Sequence, residues 1–165
     1  MGTVRKMGCT PNRTRGLSIR DELKKILDHY ASARREERFE NHWLRGTFKG
    51  VSDAIKATEP VSKRHTITVK ASIGQGRWAA IPWIALLDTR ETNTTQRGVY
   101  CCYLFCEDMS GVYLVLMQGV TETKKRHSRV EQRRNHLRDR AEELRQYLRR
   151  YCEDLTQHEF VLDDK

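Results

Sequence analysis

Two acidic residues and a lysine are the first candidates for chemistry. Asp108, followed by Glu122-Thr123-Lys124, fits the acid…acid-x-Lys spacing. In that arrangement two carboxylates hold Mg²⁺ and a lysine helps position the attacking water. A basic chain produces so short a pattern by chance, and Asp108 also suits a turn. The alternative it offers is a small Mg-dependent nuclease using Asp108, Glu122 and Lys124. Thiol chemistry has less support. Cys101, Cys102 and Cys106 fall on one predicted strand, where a period of two puts Cys102 and Cys106 on a common face. Two thiols without a second pair make a poor zinc site. The histidines at 29, 42, 65, 127, 136 and 158 are scattered. His127 and His136 are nine apart and do not share a face of one helix. There is no Gly-rich phosphate loop ending in Lys-Ser/Thr, no His-Glu-x-x-His and no nucleophile elbow. The expectation is a non-catalytic chain with no cofactor and no metal.

The composition points to a partner class. The chain has 165 residues, with 31 Lys and Arg against 22 Asp and Glu, a net charge of +9. A polyanion is the expected partner: nucleic acid, or an anionic membrane surface. The chain is 38% hydrophobic, polar for a globular domain yet too apolar to be disordered throughout. No apolar stretch is long enough to span a bilayer, so no membrane partner is expected, and the start has no secretory signal. Five cysteines form an odd set without a framework spacing, which reads as reduced thiols in the cytoplasm.

The elements that must position these residues follow from pattern. Residues 1–16 carry Arg5, Lys6, Arg13 and Arg15 with no acid, and read as a disordered basic tail before a single domain over 17–165. Ser18 is placed to cap a helix with its hydroxyl, and Ile19, Leu23, Ile26, Leu27 and Tyr30 form its apolar face. That helix should end within 34–38. Residues 42–57 suggest one or two short helices interrupted by Gly46 and Gly50. A β-rich, partly alternating run over 66–73 and three apolar runs over 78–87, 98–106 and 112–120 follow, with short links that imply an antiparallel sheet. Pro82 marks its strand as an edge strand, or as bulged there. Residues 124–152 read as a second long helix with eleven Lys or Arg. Its apolar stripe of Val130, Leu137, Ala141, Leu144, Leu148 and Tyr151 should face the sheet. Its charge reads as a solvated face or as a DNA-facing stripe. Phe160-Val161-Leu162 offers one more strand. The fold class is α+β: a central antiparallel sheet of about four to five strands flanked by two long helices and short helices.

Two strings in this region are long and ordered: Gly74 to Trp83 (GQGRWAAIPW) and Gly111 to Gly119 (GVYLVLMQG). With Arg97-Gly-Val-Tyr-Cys-Cys-Tyr-Leu-Phe105 and the opening Ser18-Ile-Arg-Asp-Glu-Leu, they resemble the N-terminal DNA-binding domain of McrB-type modified-cytosine restriction proteins. The resemblance covers roughly residues 17 to 150.

It implies a domain that binds duplex DNA and turns a methylated cytosine out of the stack into a pocket, as the targeting part of a restriction or defence system. Trp83, Tyr100 and Leu104 match the pocket positions. Tyr100 and Leu104, four apart on one strand, share a face. Gly74, Gln75 and Gly76 match the loop whose tip fills the gap left by the base. The best-known pattern has an aromatic between the glycines, where this chain has Gln75. A glutamine can hydrogen-bond the orphaned guanine but stacks less well. Lys70 and Arg77 flank the loop and are candidates for phosphate contacts. The resemblance also implies a separate GTPase motor and nuclease, because the chain carries no motor. In the family another strand segment follows the second long helix, so the chain reads as a truncated or split form. A non-DNA-binding remnant or interaction domain is the remaining alternative.

Overall fold

The computed structural model describes residues 18–40 and 42–151. The basic tail over 1–16 and the candidate strand at 160–162 lie outside the described residues.

Helix α1 runs Ile19–Glu36. Asp21 and Glu22 in its first turn and Arg34 and Arg35 in its last complement the helix dipole. Ser18 occupies the cap position, but its hydroxyl makes no cap hydrogen bond. Its backbone carbonyl accepts from Asp21 N at 2.9 Å and Glu22 N at 3.1 Å instead. Helix α2, Leu44–Ala57, is continuous through Gly46 and Gly50 and corrects the expectation of interrupted helices. Leu44, Phe48, Val51 and Ile55 recur at spacings of four, three and four, and all are buried. That stripe outweighs a glycine cost of about 1 kcal/mol each. A short helix α3, Glu59–Ser62, leads into the sheet.

Strands β1 (Ile67–Ser72), β2 (Trp83–Asp88), β3 (Val99–Phe105) and β4 (Val112–Gln118) follow. They pair in sequence order, each antiparallel to the next. The α+β expectation holds, with four strands among the described residues. The expected edge strand does not. β2 is an inner strand between β1 and β3. The chain resolves the proline problem by starting the strand at the next residue. Pro82 has no N–H to offer, but its carbonyl still accepts from Phe105 N at 3.4 Å.

The sheet has two buried faces. On one, Val69, Ile84 and Phe105 pack with Ile26, Tyr30, Leu44, Phe48, Val51 and Ile55 of α1 and α2. On the other, Ala85, Leu87, Tyr100, Cys102 and Leu104 form a second cluster with Ile81, Trp83, Val115 and Met117.

The second long helix is broken. Helix α4 spans Thr121–Arg126 and helix α5 spans Val130–Arg149. The Arg133 guanidinium bridges the break, donating to the carbonyls of His127 at 2.8 Å and Ser128 at 2.5 Å. The chain reversal brings the His127 and His136 rings to 5.1 Å, so these two histidines do meet, although not on one helix. None of the residues of α5 is buried, so its apolar stripe is less deeply packed than those of α1 and α2. Leu137, Ala141, Leu144 and Leu148 are half-buried, while Val130 and Tyr151 are exposed. Polar contacts tie the helix down: Gln118 Nε2 donates to Leu137 O at 2.7 Å, and Arg140 lies 3.9 Å from Glu91.

Tyr30 connects the helical layer to the β1–β2 connection. Its ring packs edge-on against Trp78 and Phe48 at 5.3 and 6.1 Å. Its hydroxyl lies 3.1 Å from Ile73 O and 2.9 Å from Ala79 O, on either side of the glycine tip. Burial pushes its pKa from 10.0 up to about 12. The folded state therefore holds the proton more tightly than the unfolded chain does. The stabilisation is complete below pH 10 and is lost as pH rises toward about 12. Tyr30→Phe should lower the urea unfolding free energy at neutral pH by about 1–2 kcal/mol. It should also remove this component of the alkaline loss. Equal stability of the two proteins at neutral pH would refute the clamp.

Candidate nucleic-acid interface

The candidate site is built on the sheet face away from α1 and α2. Antiparallel register sets Trp83 opposite Leu104, Tyr100 opposite Met117, and Cys102 between Ala85 and Val115. Directly opposed residues share a face. Their side chains surround a hollow of about 120 Å³, lined by Trp83, Thr95, Tyr100, Cys102, Leu104 and Met117. All three residues matched to a base pocket by resemblance thus line one hollow. Thr95, Cys102 and Met117 were missed. Cys102 was within reach of the pattern, because it lies midway between Tyr100 and Leu104 with a period of two. Met117 requires the β3–β4 register, and Thr95 requires the fold of an irregular loop.

That loop, residues 89–98, roofs part of the face. Thr92 Oγ1 donates to Thr94 O at 2.8 Å, and Glu91 Oε1 accepts from Val99 N at 3.1 Å. Two side chains from the sheet hold the loop. Lys70 Nζ donates to Asn93 O at 2.8 Å, and the Tyr100 hydroxyl donates to Thr95 O at 3.0 Å. Lys70, a candidate phosphate ligand, is therefore engaged with the loop, although exposed. Burial raises the pKa of Tyr100 and pushes the Cys102 thiol up to about 12. Both groups are neutral at physiological pH, and the lining carries no charged side chain.

The glycine loop adjoins one end of this face. Ser72, the last residue of β1, pairs with Trp83, the first of β2. The segment joining them leaves the sheet at the Trp83 end of the hollow. Its neck is fixed. Ala79 N donates to Ile73 O at 2.8 Å, and Tyr30 reaches both of those residues. Arg34 donates to Ala80 O at 2.8 Å, and Trp78 Nε1 donates to Glu37 O at 3.0 Å. Gly74 has φ +125°, and an added Cβ would meet the Arg77 carbonyl oxygen at 1.9 Å. Gly76 has φ +68°. These conformations favour glycine. They leave Gln75 and Arg77 exposed on a short tip above a clamped base.

The acidic pattern is not assembled. Asp108 sits in the β3–β4 turn, where its carboxylate accepts from Ser110 N at 2.9 Å, and hydrogen bonding by Ser110 holds its pKa below the usual range. Glu122 and Lys124 lie on α4, beyond the far end of β4. Seven strand residues separate the two ends, roughly 20 Å at about 3.3 Å per residue. Among the described residues, no group of three or more His, Cys, Asp or Glu is placed to hold a metal ion. No helix among them is long and apolar enough to cross a membrane.

No curated protein and no solved structure matches this sequence. The family model described as the MrcB-like N-terminal domain matches residues 25–165. With its antiparallel sheet, helical flank and glycine loop in place, the chain belongs to the MrcB-like N-terminal domain family.

Proposed function

We propose that this domain binds duplex DNA and reads a modified cytosine by taking the extruded base into the hollow bounded by Trp83, Tyr100 and Leu104. Family membership supports the coarser part, a DNA-binding role in a restriction-related context. The observation that carries the finer part is convergence. Three residues from two neighbouring strands line one small, mostly apolar hollow beside a clamped, exposed glycine loop. An extruded pyrimidine needs a flat or apolar slot and a few polar groups for its edge. Trp83 supplies a ring, Leu104 and Met117 an apolar wall, and Tyr100 and Thr95 polar atoms. Gln75 on the loop tip is the side chain offered to the vacated position in the duplex. The net charge of +9 favours the phosphate backbone. On this reading the domain is a non-catalytic targeting module.

Fluorescence anisotropy with matched short duplexes tests this reading. The duplexes carry cytosine, 5-methylcytosine or 5-hydroxymethylcytosine at one site, and each is titrated at two salt concentrations. Preference for a modified duplex by about 10- to 200-fold is expected, since one methyl in an apolar slot contributes about 1–3 kcal/mol. Trp83→Ala should abolish that preference, with a stacking loss of about 1–3 kcal/mol. Equal binding of all three duplexes would overturn the modified-base reading.

Arg77→Ala should behave differently. It should weaken binding to every duplex alike and lower the slope of log K against log salt by about 1. An unchanged slope would remove Arg77 from the interface.

A further inference from the structure

Tyr100 lines the hollow, and the hydrogen-bonding sense of its hydroxyl is fixed. The Tyr100 hydroxyl has a single proton, and it points at the Thr95 carbonyl 3.0 Å away. The oxygen is therefore available only as an acceptor for anything entering the hollow. Burial raises the pKa of Tyr100, so the hydroxyl keeps that proton at neutral pH. The loop that carries Thr95 is held independently by Lys70 at Asn93 and by the Thr92–Thr94 contact. The acceptor is thus built in before any ligand arrives.

A methyl-accepting slot faces a difficulty. Thymine carries the same 5-methyl group as 5-methylcytosine and is abundant in DNA. The two bases differ at position 4, where cytosine has an amino donor and thymine an oxygen acceptor. We propose that Tyr100, oriented by the Thr95 carbonyl, makes the hollow specific for a 4-aminopyrimidine over a 4-oxopyrimidine. This rests on the reading of the hollow as a base pocket. The cytosine amino group donates to the Tyr100 oxygen, and the Thr95 contact is kept. Thymine would set one acceptor against another. Tyr100 satisfies it only by turning its proton away from Thr95, which leaves that carbonyl unpaired.

The full chain and three target bases test the assignment. Each base is set opposite an abasic site, so that extrusion breaks no base pair. The targets are 5-methylcytosine, thymine and 5-methylpyrimidin-2-one, which has no substituent at position 4. The expected order of affinity is 5-methylcytosine, then the unsubstituted base, then thymine, spanning about ten- to a hundredfold. Tyr100→Phe should bring 5-methylcytosine and thymine to within about twofold. Thymine bound as tightly as the unsubstituted base by the unaltered protein would overturn the assignment. That comparison needs no variant to fold. In a fully paired 5-methylcytosine duplex, 2-aminopurine beside the target reports whether the base leaves the stack. Brightening without the expected order refutes the role of Tyr100 alone. No brightening refutes the base-pocket reading, and this proposal with it.

Discussion

Strands β2 and β3 bury side chains on both faces, while α1 and α2 cover only one of them. That imbalance shapes the rest of the molecule. Leu87 and Ala85 are fully buried on the face away from these helices, so other groups must exclude water there. A polar loop contributes to that cover. A loop over an apolar face must satisfy its own backbone groups. Here the carbonyls of Asn93 and Thr95 accept from Lys70 and Tyr100, and Thr94 O accepts from Thr92. An irregular roof packs less closely than a helix that sets its ridges into grooves. The hollow lined by Thr95, Trp83 and Met117 is the gap it leaves.

The helical face has a complementary task. Tyr30, Arg34 and the carbonyl of Glu37 converge on Ile73, Ala79, Ala80 and Trp78. These contacts close the neck of the β1–β2 connection from the core side, so the entropy of ordering the loop is largely met by folding. Such preorganisation lowers the cost of association. The conformational demands at Gly74 and Gly76 keep the tip tight, and Gln75 is presented at its apex.

Much of this was legible in the sequence. Four β-rich or apolar runs with short links pointed to the antiparallel sheet, and the spacing of Ile26 and Tyr30 identified the buried face of α1. The failures have specific causes. Gly46 and Gly50 looked like breaks because local propensity was weighed above the Leu44–Phe48–Val51–Ile55 stripe. Pro82 suggested an edge strand or a bulge because the strand was drawn through it, whereas β2 begins at the next residue. Residues 127–129 interrupt the last helix without glycine or proline. The signal is Arg133 capping the carbonyls of His127 and Ser128, a side-chain contact that no periodicity reveals. In the candidate site, Tyr100, Cys102 and Leu104 were accessible through period two, whereas Met117 needs the β3–β4 register and Thr95 depends on a loop held by tertiary hydrogen bonds.

On the proposed reading, affinity and selectivity come from different parts of the molecule. Charge supplies affinity without sequence information. Part of the basic charge of α5 is already engaged: Arg133 caps backbone carbonyls, Arg145 pairs with Glu142 at 3.3 Å, and Arg140 faces Glu91. The exposed glycine loop with Arg77 is then the better place to seek phosphate contacts than the helix with the most arginines. Selectivity has two unequal sources. An apolar slot distinguishes a methyl group from hydrogen only modestly, because the difference is one small patch of buried surface. A fixed acceptor distinguishes amino from oxo more sharply, because the wrong base leaves a buried polar group unpaired. The arrangement of Tyr100 and Thr95 thus favours strict choice of base and looser choice of modification, so that one hollow serves several substituents at the 5-position of cytosine while still rejecting thymine.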